Sequence, residues 1–157
     1  SLSGLKKKTD KFICIFVGKG FNKDNYKLNA LIENLQLNEN IILIDYFEKM
    51  NQLYSNSDIT VLTSKNESFP NVLGESMVCG TPCISTDVGD VRKLIGSNGW
   101  IIQRNKDNLL EILEKVIELK KNDEQWLLIK QNCTKKIKND FSFEKMFENF
   151  EEGYLIK

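Results

Sequence analysis

A chain of 157 residues with 41% hydrophobic content can bury one core and is too short for two full domains. Twenty-two acidic residues balance twenty-two basic ones, so no net field steers the chain toward nucleic acid or an acidic membrane, and its partner has to be met at a local site. Cys14, Cys79, Cys83 and Cys133 fit neither a paired zinc spacing nor a dense disulfide framework, and no histidine is present to complete a mixed metal site. No apolar run reaches the ~20 residues of a transmembrane segment, and Ser1 to Lys8 lacks the apolar stretch of a signal peptide, so the expectation is a soluble, reduced, cytoplasmic protein.

Leu5 to Asp10 reads as the end of a helix. Phe12 to Val17 (FICIFV) is a continuous β-rich apolar run ending at Gly18, the pattern of a strand buried on both faces. Tyr26, Leu28, Leu31, Ile32 and Leu35 then recur at helical spacing within Asp24 to Leu37, with Asp24 at the favourable end of the helix dipole. Ile41 to Ile44 is a second strand, Met50, Leu53 and Tyr54 make a short helical stripe, and Ile59 to Leu62 is a third strand. The loop Thr63 to Phe69 leads to Pro70, which suits the first turn of a helix running to Cys79 and stopping at Gly80. A strand at Pro82 to Ser85, a turn at Asp87-Val88-Gly89, a short helix from Asp90 and a last strand at Trp100 to Gln103 follow.

This regular β-then-α order predicts a Rossmann-like α/β fold, a parallel sheet with helices on both faces, because each parallel connection needs a crossover. Three helices are expected over 106–157: Leu109, Leu110, Leu113, Val116 and Ile117 mark one, Trp126, Leu127, Ile129 and Ile137 the next, and Phe143, Met146, Phe147, Phe150 and Tyr154 the last. The whole chain, 1–157, is read as one domain with no internal repeat.

In an open parallel sheet, ligands bind beyond the carboxyl ends of the strands. Gly18-Lys19-Gly20 lies there and would let backbone approach a ligand, although an ordinary glycine-rich turn is the simpler account. Asp45-Tyr46 offers a carboxylate and an aromatic face, equally explained as a solvated loop. The run Glu67-Ser68-Phe69-Pro70-Asn71-Val72-Leu73-Gly74-Glu75 says more, since it places two carboxylates around a helix start whose amides, from about Phe69 to Val72, can hold a phosphate or a developing negative charge. Carboxylates beside such amides can accept hydrogen bonds from sugar hydroxyls. Complementation of the helix dipole by Glu67, with Glu75 as a plain surface residue, accounts for the pair equally well.

The Glu67/Glu75 pair forms an E-x7-E pattern, and the run ESFPNVLGESMVCGTPCISTDVGD resembles the signature of retaining GT-B glycosyltransferases of family 4. The resemblance extends from about Phe12 to the C-terminus, including Gly18-Lys19-Gly20, Asn98-Gly99 and Phe141-Ser142-Phe143. It implies the nucleotide-sugar-binding, C-terminal half of such an enzyme. Glu67 would be the catalytic-site carboxylate on the donor sugar and Glu75 would hold the ribose; Gly18, Lys19, Ser68, Phe69, Pro70, Asn71, Val72 and Leu73 would line the donor, and Asp45 and Tyr46 would lie near the base.

The family transfers sugar with retention, generally without metal or cofactor, by stabilising the departing nucleoside diphosphate. Members carry an Arg and a Lys after an additional strand upstream of Phe12, and an N-terminal domain that binds the acceptor; both are expected to be absent from this sequence, which would leave the fragment inactive alone. The acceptor would be a glycan or lipid-linked sugar in polysaccharide or surface-glycan synthesis, with room for peripheral membrane association of the full enzyme. Asp45 stands where glycine is common and Lys93 where glutamate is common. The competing expectations are a non-catalytic Rossmann-like interaction module, or a GT-B domain of the sugar-nucleotide epimerase type, which the lack of histidine disfavours.

Overall fold

The computed structural model describes residues 1–103, 106–145, 147–148 and 151. In chain order the elements are α1 (Leu2–Lys6), β1 (Cys14–Val17), α2 (Tyr26–Asn34), β2 (Ile41–Ile44), α3 (Met50–Ser55), β3 (Thr60–Leu62), α4 (Asn71–Val78), β4 (Cys83–Thr86), α5 (Val91–Ile95), β5 (Gly99–Ile102), α6 (Lys106–Leu119) and α7 (Asp123–Asp140). All strand pairs are parallel, as the alternation predicts. Of the third C-terminal stripe, Met146, Phe150 and Tyr154 fall outside the described residues. Residues 143–145 and 147–148 are helical, with the Lys145 amide donating to Ser142 Oγ at 3.2 Å.

The expected single sheet is divided. Among the described residues β1 pairs only with β2, and β3, β4 and β5 form a separate sheet in that order. The central strand β4 is buried throughout, and its successive side chains serve opposite layers. Cys83 joins Leu73, Met77, Val91, Leu94, Ile95 and Cys133 on one face, while Ile84 joins Leu5, Ile102, Leu113, Val116 and Trp126 on the other. Each fully buried Leu or Ile of these layers contributes about 1.5–3 kcal/mol. All four cysteines are free, and burial raises the Cys83 and Cys133 thiols to about 12.

The β1–β2 pair departs from the expectation of two covered faces: Ile13 is 58% and Ile42 46% exposed. Ile15, the register partner of Ile42, is 37% exposed on the same face. Of the predicted α2 stripe only Ile32 is buried.

Helix ends also differ from expectation for identifiable reasons. Asn25, rather than Asp24, caps α2, its side chain accepting from the Leu28 amide at 3.2 Å. The helix then stops at Asn34 instead of Leu37. Gln36 takes φ +56°, its amide reaches Glu33 O, and the Leu37 amide turns back to Ile32 O, a Schellman closure that tucks Leu37 into the interior. Gly80, at φ +81°, closes α4 in the same way, with Gly80 N to Met77 O and Thr81 N to Ser76 O, both 3.0 Å. Pro70 is the residue before α4 rather than in its first turn.

A buried polar residue ties the chain's start to β2. The Asn40 side chain accepts from Lys6 Nζ at 2.9 Å and donates to Asp10 O and Phe12 O at 3.1 and 3.0 Å, while its carbonyl accepts from the Cys14 amide at 2.7 Å. Truncation would take the side-chain donor from Phe12 O and one of two donors from Asp10 O, which also accepts from the Phe12 amide at 3.0 Å, and would leave Lys6 Nζ without its Asn40 acceptor. Asn40→Ala is therefore expected to lower stability by about 2 kcal/mol, read as a lower urea midpoint at constant slope; an unchanged midpoint would deny Asn40 this linking role.

Candidate functional site

The carboxyl ends of β1 and β2 bring Gly18, Lys19, Asp45 and Tyr46 together. Gly18 and Gly20 take φ +142° and +89°. Nothing lies within 4 Å of where a Gly20 Cβ would stand, so backbone conformation rather than space calls for glycine there. The Gly20 amide donates to Asp45 Oδ1 at 2.5 Å, and Asn25 Nδ2 donates to Gly20 O at 2.9 Å. Asp45 thus closes the glycine turn, while Lys19 and Tyr46 point into solvent, Tyr46 with 79% of its surface exposed.

The segment after β3 is held by residues that sequence reasoning did not single out. Thr86 Oγ1, at the end of β4, donates to Ser64 O at 2.7 Å, and Ser64 Oγ donates to Glu67 Oε1 at 2.7 Å. The Asp90 amide donates to Ser68 O at 3.2 Å. Gly89 makes this approach possible: a Cβ there would stand 2.3 Å from Ser68 O and 2.4 Å from Glu67 O. Thr86, at the end of β4, carries no sequence signal for its contact with Ser64 O, since that partner lies 22 residues away in the chain.

Pro70 and Leu73 are buried at the start of α4, whereas Asn71 and Val72 are exposed, so this start is open to solvent. The Phe69 ring rests against Phe141 at 5.9 Å between centroids. Asparagine side chains cap α2 and α7, but none caps α4. Asn71 and Leu73 donate to Phe69 O and Pro70 O, each at 3.0 Å, so those two of the amides expected to face a ligand are already engaged. Among the described residues no group accepts from the amides of Phe69 and Val72, which leaves both as donors for an anion.

Glu75 lies on the exposed side of α4, four residues beyond Asn71, and Tyr54 Oη donates to its Oε2 at 3.3 Å. Burial, followed by the Glu75 charge, raises Tyr54 to about 12. Thr81 Oγ1 donates to Tyr54 O at 2.6 Å, and Ser76 Oγ to Thr60 Oγ1 at 2.7 Å, locking α3 and β3 against α4. Arg92 is committed to Asp87 through two bonds of 2.9 and 2.7 Å, and Lys93 is exposed. Among the described residues no group of three or more cysteine, aspartate or glutamate side chains gathers to hold a metal ion, and no helix is long and apolar enough to cross a membrane.

Gly89→Ala is expected to destabilise the protein by about 2 kcal/mol or more, since the φ of +51° and an immovable backbone contact both oppose a Cβ. Gly96→Ala makes the comparison, because at φ +57° its Cβ meets only the displaceable end of Lys136. Equal losses in thermal midpoint for the two variants would refute a special constraint at Gly89.

A model of the family described as glycosyl transferases group 1 matches residues 1–132. The N-acetyl-alpha-D-glucosaminyl L-malate synthase of Bacillus anthracis is 28% identical over 126 residues, covering 79% of this chain and 32% of that protein. The capsular polysaccharide biosynthesis glycosyltransferase CapM of Staphylococcus aureus is 28% identical over 152 residues, 89% of this chain and 40% of its own. The chain thus spans about a third to two fifths of the length of these relatives. Among solved structures, a glycosyltransferase from Rickettsia africae matches with TM-score 0.83 at 25% identity, over 98% of this chain and 41% of that one. Anabaena Alr3699/HepE in complex with UDP matches with TM-score 0.83 at 22% identity, over 99% and 44%. These neighbours carry the GT-B α/β architecture. The family match takes in all five strands and reaches into α7, and the chain belongs to the glycosyl transferases group 1.

Proposed function

We propose that this chain is the C-terminal, donor-binding domain of a retaining family 4 glycosyltransferase, which takes a nucleoside-diphosphate sugar and passes the sugar to a glycan or lipid-linked acceptor. The observation that carries the reading is the open start of α4: two unclaimed amides, at Phe69 and Val72, stand between Glu67 and Glu75, each carboxylate anchored by one hydroxyl. A helix start with free amides favours a phosphate, and developing charge on a departing diphosphate is stabilised there without reorganisation.

In this reading Glu67, oriented by Ser64, meets hydroxyls of the donor sugar, and Glu75 meets the ribose. Ser68, Phe69, Pro70, Asn71, Val72 and Leu73 form the wall facing sugar and distal phosphate. The Gly18-Lys19-Gly20 turn closes the site from β1, and Tyr46 supplies an exposed ring for the base, with Asp45 holding the turn. No metal takes part. The acceptor is bound by an N-terminal domain of the longer protein, which works in the cytoplasm on polysaccharide or surface glycan, and this chain alone is inactive. Two matches support this reading: the CapM relative named for capsular polysaccharide biosynthesis, and Anabaena Alr3699/HepE, solved with UDP and with UDP-glucose.

The uncovered Ile13 and Ile42 face favours one other reading, a module that docks a further chain and has no ligand. The two separate by calorimetry with UDP, GDP and ADP. Glu75→Ala should weaken the preferred nucleotide about tenfold or more, the effect of one charged hydrogen-bonding group. No heat with any of the three in the full-length protein, or affinity indifferent to Glu75→Ala, would overturn the donor-site reading.

A further inference from the structure

Glu75 presents a contrast within one pair of side chains. Its carboxylate lies on the exposed side of α4, where a chain with three rotatable bonds samples several rotamers, and ordering it on a ligand costs entropy. Tyr54 has no such freedom. Its ring is buried, and its polar groups at both ends are engaged with the segment that carries Glu75: the carbonyl accepts from Thr81 Oγ1 at 2.6 Å, and the hydroxyl donates to Glu75 Oε2 at 3.3 Å.

We propose that Tyr54 is a positioning residue that presets the Glu75 carboxylate, holding Oε2 so that Oε1 is aimed at a ribose hydroxyl of the bound nucleotide. This rests on the reading of Glu75 as the ribose-holding residue and extends it to a side chain in α3 that touches no ligand itself.

Three observations carry the assignment. Oε1 of Glu75 has no partner among the described residues, so the anchored carboxylate keeps one acceptor oxygen free. Tyr54 can act only as a donor toward a carboxylate, and with its ionisation raised to about 12 it keeps its proton across the working range of an enzyme. The scaffold behind it is stiff, because Ser76 Oγ reaches both Thr60 Oγ1 and Thr81 O, at 2.7 and 3.1 Å. A separation of 3.3 Å is long for a hydroxyl donor, and such bonds in ligand-free sites commonly tighten when the ligand binds. The contact therefore acts by direction, reducing the freedom that binding would otherwise remove.

The test is a double-mutant cycle in the full-length protein, read by calorimetry with whichever of UDP, GDP and ADP binds best and with its 2′,3′-dideoxy counterpart. The ratio of the two affinities measures how well ribose hydroxyls are held. Tyr54→Phe keeps the buried ring and removes only the hydroxyl; it should reduce the ribose preference about three- to tenfold, in the range of one hydrogen bond. Glu75→Ala should reduce it at least as far, and adding Tyr54→Phe to Glu75→Ala should change nothing more.

A Tyr54→Phe protein that keeps the full preference, while Glu75→Ala loses it, overturns the positioning role and leaves the donor site standing. The same additional loss in both backgrounds also overturns it, since Tyr54 would then act on packing and not through Glu75. A preference indifferent to Glu75→Ala, or no binding by any nucleotide, overturns the donor-site reading and this inference with it. Thermal melting of Tyr54→Phe accompanies the cycle, so that a general loss of fold is seen as a lowered midpoint rather than as a changed ratio.

Discussion

At Gly89 two stretches of backbone lie closer than any side chain would allow, and the loop that carries Glu67 takes its shape from that contact. The carbonyls of Glu67 and Ser68 face the missing Cβ, the Asp90 amide binds one of them, and Thr86 and Ser64 pass a chain of hydrogen bonds from the end of β4 to the Glu67 carboxylate. A loop held at so many backbone points has little freedom left. Preorganisation of this kind lets a few amides and carboxylates act on a ligand without rearranging first.

The strand β4 sends this rigidity inward. Because neighbouring side chains on a strand point oppositely, Cys83 and Ile84 root it in two different apolar layers, and the turn carrying Gly89 leaves directly from its end. The second layer includes Leu5 of α1, so even the first turn of the chain is packed against the sheet that supports the site.

Sequence alone revealed the β/α alternation, the parallel pairing and the segment from Glu67 to Glu75, because these depend on periodicity and on a motif written in consecutive residues. It did not reveal the supports. Tyr54 looked like one member of a short helical stripe, and Ser64 and Thr86 like ordinary polar residues, since their significance comes from partners 21 and 22 positions away. The termination of α2 at Gln36 was hidden for a related reason: a non-glycine residue in the left-handed region is chosen by the gain from burying Leu37, not by its own preference. The open face of β1 and β2 misled in the other direction, as apolar composition reports what a surface could be packed against and not what packs there.

Gly18-Lys19-Gly20 and the start of α4 sit on sheets that share no backbone ladder among the described residues. Asn40 ties the start of β2 to α1 and to the segment leading into β1, while Tyr54 ties α3 to α4 and to Thr81 after it. Side-chain links of this sort open one at a time, whereas a continuous ladder opens cooperatively. The glycine turn and the start of α4 can therefore open separately, and a mutation that loosens the turn need not be felt at the helix start. Under the proposed donor-site reading, opening at the glycine turn alone gives a ligand a way in and out while the start of α4 stays folded.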